Sequence, residues 1–133
     1  MSESTATTTR TILVVDDEPT ITGVLSTILT KGGYEVLIAT EGSSAVTMAV
    51  EQSPDLILMD ITMPGMNGYE TAEKIKAIPE LVSTPIIFLT GQAPGEDAGK
   101  AFASGGVSYL RKPFSTQQIS NVVELALLSL GEQ

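Results

Sequence analysis

Thr11-Ile12-Leu13-Val14-Val15-Asp16-Asp17-Glu18-Pro19 is the stretch on which the fold turns. Its apolar run is unbroken, as a strand covered on both faces of a parallel sheet requires, and it ends abruptly in three acids and a proline. Working outward, Leu56–Met59 and Ile86–Leu89 repeat the pattern, while Glu35–Ala39 and Val107–Leu110 are shorter or mixed versions of it. Helical spacing fills the gaps. Ile21, Val24, Leu25, Ile28 and Leu29 form one expected buried stripe, stopped by Gly32-Gly33. Ala45, Val46, Ala49 and Val50 form a second. Asn67 is an expected N-cap for a third helix carrying Ala72, Ile75 and Ile78, which Pro79 stops. A fourth helix, roughly 95–104, contains Gly99 and has Phe102 as its one large apolar anchor, so its intrinsic stability is low. The last helix opens with capping-box spacing at Ser115 and Gln118 and buries Ile119, Val122, Val123 and Ala126.

Five strands alternating with five helices over short connections imply an α/β, doubly wound, parallel sheet with right-handed crossovers. A ligand site in such a fold lies at the carboxyl ends of the strands. The 133 residues fit one domain, expected over 10–131 after a Ser/Thr-rich solvated tail over 1–9. Sixteen acidic against seven basic residues give a net charge of −9, which disfavours direct binding to nucleic acid or an anionic membrane. No apolar run approaches a membrane span and no signal peptide is visible, so the expected location is cytoplasmic. Cysteine and histidine are both absent. That excludes disulfides, thiol chemistry, Ser-His catalysis, imidazole ligation and a phosphohistidine on this chain, leaving hydroxyls, carboxylates and lysine.

Those groups fall at strand ends: Asp16, Asp17 and Glu18 after the first, Asp60 after the third, Thr90 after the fourth and Lys112 after the fifth. Each has a plain structural reading by itself. Acids before Pro19 suit a helix N-terminus, Asp60 opens a turn with Met63-Pro64-Gly65, Thr90 caps or turns, and Lys112 is a surface lysine. Together they read differently. Three carboxylates on neighbouring strand ends repel by roughly 4 kcal/mol per pair at ~4 Å and an effective dielectric near 20, so a compensating cation is needed. Carboxylates suit a hard divalent ion, Mg²⁺ first, with Mn²⁺ as an alternative, which shares its coordination with phosphate oxygens. Lys112 then neutralises a phosphoryl oxygen, Thr90 donates to one, and Asp60 is the nucleophile.

In sequence and order these residues resemble the receiver domain of two-component response regulators, a chemotaxis-regulator-like, stand-alone type. The matching text is Ile12–Pro19, Leu56–Asp60 with Met63–Gly68, Phe88-Leu89-Thr90-Gly91 and Tyr109-Leu110-Arg111-Lys112-Pro113-Phe114. The resemblance implies a flavodoxin-like sheet of order 2-1-3-4-5. It implies Asp60 as phosphoacceptor and Asp16, Asp17, Asp60 and the backbone carbonyl of Thr62 as metal ligands. Thr90 and Lys112 become the phosphoryl-sensing pair, Tyr109 the switch aromatic, which otherwise reads as a half-buried strand residue, and Lys112-Pro113 a cis peptide. Val107 and Ser108 stand where acids are often found, and Gly91 and Gln92 follow Thr90, Gly91 leaving the site open. The Gly- and Pro-rich segment after the fourth strand is expected to move most on activation.

The implied partners are a sensor histidine kinase or histidine phosphotransfer protein as donor and a downstream protein effector. Output is expected through a partner, because the chain ends at Gln133, and the surface expected to switch is that of the fourth helix, fifth strand and last helix. The protein is then a phosphoprotein of two-component or phosphorelay signalling that catalyses its own phosphorylation and dephosphorylation rather than a conventional enzyme. Three other readings compete. A magnesium-dependent phosphohydrolase calls for an Asp-x-Asp pair and a cap, where this chain has Asp16-Asp17-Glu18 and little room for a cap. A receiver-like module without phosphorylation calls for a missing acid, Thr or Lys. A flavodoxin-like nucleotide binder calls for a Gly-rich phosphate cradle after the first strand.

Overall fold

The computed structural model describes residues 9–91 and 108–131. Five parallel strands, β1 (Thr11–Val15), β2 (Glu35–Ala39), β3 (Leu56–Asp60), β4 (Ile86–Thr90) and β5 (Ser108–Arg111), lie in the order β2-β1-β3-β4-β5. Among the described residues there are four α-helices: α1 (Pro19–Lys31), α2 (Gly42–Gln52), α3 (Gly68–Lys76) and α4 (Thr116–Gly131). A 3₁₀ turn spans Pro79–Leu81. The expected helix over 95–104, Val107 and the tail over 1–8 lie outside the described residues.

The pleat divides the core. Leu13, Val15, Ile57, Met59, Ile86 and Phe88 face α2 and α3, meeting Ala45, Ala49, Ala72 and Ile75. Ile12, Val14, Leu56, Leu58, Ile87 and Leu89 face α1 and α4, meeting Leu25, Leu29, Ile119 and Val123. The three continuous apolar runs are therefore the three central strands, apolar on both faces because both faces are covered. The edge strand β2 is mixed in sequence and leaves Ile38 39 % exposed. β3 and β4 each run one residue past their apolar stretch, so Asp60 and Thr90 are themselves strand residues.

Local signals set the helix ends. Asn67 and Glu70 form a reciprocal capping box, each side chain accepting the other's backbone N–H at 2.9 Å. Ser115 and Gln118 do the same for α4, at 2.8 and 3.0 Å. Gly32 caps α1, and Gly33 follows at φ +94°, where a side chain is disfavoured. Three expected stripes need correction: Ile78 lies past the end of α3, at the N-cap of the 3₁₀ turn, and two helices bury other rows. Val24 is 45 % and Val50 53 % exposed, and the buried rows are instead Thr22, Leu25, Leu29 on α1 and Gly42, Ala45, Ala49 on α2. Thr22 tolerates burial because its hydroxyl donates to the Pro19 carbonyl at 3.1 Å. Among the described residues no helix is long and apolar enough to cross a membrane.

Gly68 holds α3 against the end of β3. Its N–H donates to the Ile61 carbonyl at 2.9 Å. A Cβ there would sit on the Asp60 carbonyl oxygen and 2.8 Å from Ile61 Cα, both backbone atoms that cannot step aside cheaply. Gly23, exposed on α1, has nothing within 4 Å of the same position. Urea unfolding of the two alanine variants should therefore move in opposite directions. Gly68→Ala is expected to lose about 2–3 kcal/mol by overpacking, and Gly23→Ala to gain about 0.5–1 kcal/mol from helix propensity. Equal effects would show that close approach at Gly68 is not what sets its identity.

Candidate functional site

The pleat also decides which polar groups meet. Asp16 continues the row of Ile12 and Val14, Asp60 that of Leu56 and Leu58, and Lys112 that of Leu110, all on the α1/α4 side. β1 and β3 are direct neighbours. Lys112 comes from the sheet's edge, anchored by its own N–H donating to the Thr90 carbonyl at 2.6 Å, and its long side chain covers the remaining gap. Its ammonium donates to Asp16 Oδ2 at 2.9 Å and Asp60 Oδ1 at 3.2 Å, and Glu18 Oε1 lies 3.8 Å away. The Lys112-Pro113 peptide is cis.

Asp16, Asp17 and Asp60 each place a carboxylate oxygen within 4.8 Å of the others. Asp16 and Asp60 are buried, whereas Asp17 is exposed. Helix capping does not account for the acids. Glu18 occupies the N-cap of α1 and makes no side-chain cap, while Asp16 Oδ1 accepts the Glu18 N–H at 3.0 Å and fixes the turn between strand and helix. These groups sit on an open cleft of about 360 Å³ lined by Asp17, Glu18, Asp60, Thr62, Gly91 and Lys112. Among the described residues, nothing lies within 4 Å of where a Gly91 side chain would project.

Burial pushes the Asp60 carboxyl up from the usual 3.8 to about 6; the Asp16 charge adds to this, and Lys112 and the Thr62 N–H oppose it. Burial works against the Lys112 ammonium, but the hydrogen bond to Asp16 and the nearby carboxylate charges outweigh it, so its pKa is raised. The carboxylate donor set fits a hard divalent cation, since one ammonium offsets only part of three carboxylate charges and the oxygens converge on one edge of the cleft.

The expected residues are thus placed as follows. Asp16, Asp17, Asp60 and Lys112 are brought together, and Thr62 lines the same cleft as an exposed residue whose N–H donates to Asp60. Thr90 is buried at the end of β4, opposite Arg111 in register. Tyr109 is half-buried one strand over, paired with Phe88 and packed on the α2/α3 side of the core. Sequence reasoning missed Glu18 as a neighbour of Lys112 and Gly68 as the residue that lets α3 pack beneath Asp60. The Asn67-Gly68 pair was the visible signal for the second.

Residues 12–124 match the response regulator receiver domain family. The chain belongs to this family. This receiver is 40 % identical over 108 residues to the uncharacterized transcriptional regulatory protein YrkP of Bacillus subtilis, an alignment covering 81 % of this chain and 45 % of YrkP. The chain thus spans about half the length of the curated relatives it matches. Among solved structures, the chemotaxis protein CheY4 of Vibrio cholerae superposes with a TM-score of 0.87 at 29 % identity, covering 90 % of this chain and 99 % of CheY4. The receiver domain of a Pseudomonas aeruginosa sensor histidine kinase, crystallised with a magnesium ion coordinated in its active-site cleft, superposes with a TM-score of 0.82 at 32 % identity, covering 89 % of this chain and 97 % of that one. Receivers of this family are signalling modules, and they typically bind magnesium in an acidic pocket.

The raised pKa makes a stability prediction for this receiver without divalent ions. Folded Asp60 holds its proton more tightly than the unfolded chain does, so its contribution is fully present below pH 3.8 and is lost as pH rises through about 6. Above that pH the ionised carboxylate is a net cost to the fold. Asp60→Asn in chelator is therefore expected to gain on the order of 1–3 kcal/mol near pH 7.5, and the gain should vanish toward pH 4. Urea melts across that range that show a constant difference would contradict it.

Proposed function

We propose that this receiver accepts a phosphoryl group on Asp60 from the phosphohistidine of a separate kinase or phosphotransfer protein, and passes the change to a protein partner. The observation that carries the reading is the juxtaposition of a buried Asp60 with Lys112 at 3.2 Å and with two further carboxylates within 4.8 Å, at the mouth of an open cleft. Asp16, Asp17, Asp60 and the Thr62 carbonyl are the proposed ligands of Mg²⁺, with Mn²⁺ as the alternative. When bound, the ion supplies positive charge to the transferring phosphoryl oxygens.

The chain's own residues supply the rest. An Asp60 carboxylate oxygen forms a bond to phosphorus as the histidine N–P bond breaks, and the electron pair leaves on the imidazole nitrogen. Lys112, already aimed at Asp60, turns its ammonium to a phosphoryl oxygen and stabilises the charge there. Thr90 donates its hydroxyl to a second oxygen. Tyr109, packed on the same side of the sheet as Phe88, follows Thr90 and alters the surface around β5 and α4. Attack of water on the aspartyl phosphate resets the switch. The net charge of −9 supports a protein, rather than nucleic acid, as what this domain touches. We place the reaction in the cytoplasm, the compartment of its proposed donors.

Intact-mass spectrometry after incubation with acetyl phosphate tests the assignment. The parent with Mg²⁺ is expected to gain one phosphoryl group, and chelator should abolish the gain, as should Asp60→Asn. A phosphoryl adduct of equal yield on parent and Asp60→Asn would place the acceptor elsewhere.

A further inference from the structure

Among the described residues Lys112 has three acidic neighbours, and the proposed chemistry uses two of them. The third is Glu18. Its Oε1 lies 3.8 Å from the ammonium, and its side chain is 63 % exposed, against 0 % for Asp16 and 6 % for Asp60. Glu18 is anchored at one end only. Its backbone N–H is held by Asp16 Oδ1, so its Cα is fixed at the cleft's rim, yet its carboxylate caps nothing in α1 and lines the cleft instead. Among the described residues it is the most exposed of the acids paired with the ammonium.

We propose that Glu18 is a positioning residue that competes with the incoming phosphoryl group for Lys112, raising the cleft's affinity for a divalent cation while slowing transfer from small anionic donors. The inference rests on the phosphoacceptor reading above. Its physical basis is that one carboxylate has opposite effects on the two visitors. A cation entering the cleft gains a further nearby negative charge. An anionic donor meets that charge first, and Lys112 must leave Glu18 before it can reach a phosphoryl oxygen. Since Glu18 is largely exposed, water and salt weaken both effects, so each is a modest factor that falls with ionic strength.

The test compares the parent, Glu18→Gln and a control, Glu51→Gln, which removes the same charge from the exposed far end of α2. Two quantities are read at low salt and at 1 M salt. The first is the dissociation constant for Mg²⁺ alone by calorimetric titration. The second is the rate of Asp60 phosphorylation by acetyl phosphate at saturating Mg²⁺, in which the Asp60 Oδ–P bond forms as the P–O bond to the acetyl group breaks and acetate departs. Glu18→Gln is expected to weaken Mg²⁺ binding about two- to fivefold and to raise the rate by a similar factor, both differences shrinking toward unity at high salt. Glu51→Gln should match the parent. A fall in the dissociation constant or in the rate, no change in either, or an equal effect from Glu51→Gln would overturn the role given to Glu18 while leaving Asp60 as acceptor. A parent that takes no phosphoryl group on Asp60 would overturn both.

Discussion

An ammonium lodged between two buried carboxylates, with a third carboxylate beside them, sets the terms for the rest of this molecule. Lys112 contacts Asp16 at 2.9 Å and Asp60 at 3.2 Å, and the residues it joins are 96 and 52 positions away in sequence. Holding such a cluster is costly, because buried charges lose hydration that one counter-ion restores incompletely. The rise of the Asp60 pKa to about 6 is the measure of that cost. Only a stiff scaffold tolerates it. Here three central strands packed on both faces, β1, β3 and β4, fix the strand ends and leave the acids no easy way to separate.

Much of this could be read from the chain alone, for a definite reason. In a parallel sheet covered on both sides, apolar runs mark the central strands and the residue after each run marks the functional edge. Asp16, Asp60, Thr90 and Lys112 were placed by that rule, and the pleat then separates Asp16, Asp60 and Lys112 from the row of Phe88 and Thr90. What stayed hidden depends on packing between elements distant in sequence. Hydropathy puts Val24 and Val50 in the core, yet the helices rest on narrower strips, and a self-satisfied Thr22 or a small Gly42 lies beneath them instead. At Gly42 an added Cβ would meet the Thr71 hydroxyl and lie 3.2 Å from Met66 Cβ, a constraint set by α3 and invisible in α2. The Glu18 contact was hidden for a related reason. As an acid beside Pro19 it had an adequate explanation as a helix cap, and only coordinates show that its side chain caps nothing.

The two sides of the cleft are built differently. After β3 the chain is tied down: Ile61 N–H donates to the Leu89 carbonyl at 3.1 Å, Gly68 N–H to Ile61 at 2.9 Å, and Met63 is buried. The Asp60 side is therefore braced by backbone hydrogen bonds and close packing, which suits the proposed acceptor role of a group held in position while a donor approaches. Among the described residues, nothing lies within 4 Å of a Gly91 side-chain position, and the Glu18 side chain is largely exposed, its carboxylate 3.8 Å from Lys112.

Under the proposed function, the same arrangement gives a local change of charge a route from the site toward the sheet's edge. Lys112 is joined to β4 by its N–H bond to the Thr90 carbonyl, and Thr90 extends the row of Ile86 and Phe88, with Phe88 beside Tyr109 in register. Phe88 is fully buried and its ring lies 5.1 Å from that of Tyr69 at the start of α3. A close-packed row of this kind passes on a shift more readily than it absorbs one. Under the proposed phosphoryl transfer, exchanging the carboxylate partners of Lys112 for a phosphoryl group would act first on the backbone at the end of β4, and then on Tyr109, half-buried at the sheet's edge. On that proposal, coupling in this receiver follows from where the central strands stop being fully packed rather than from any special flexibility of the core.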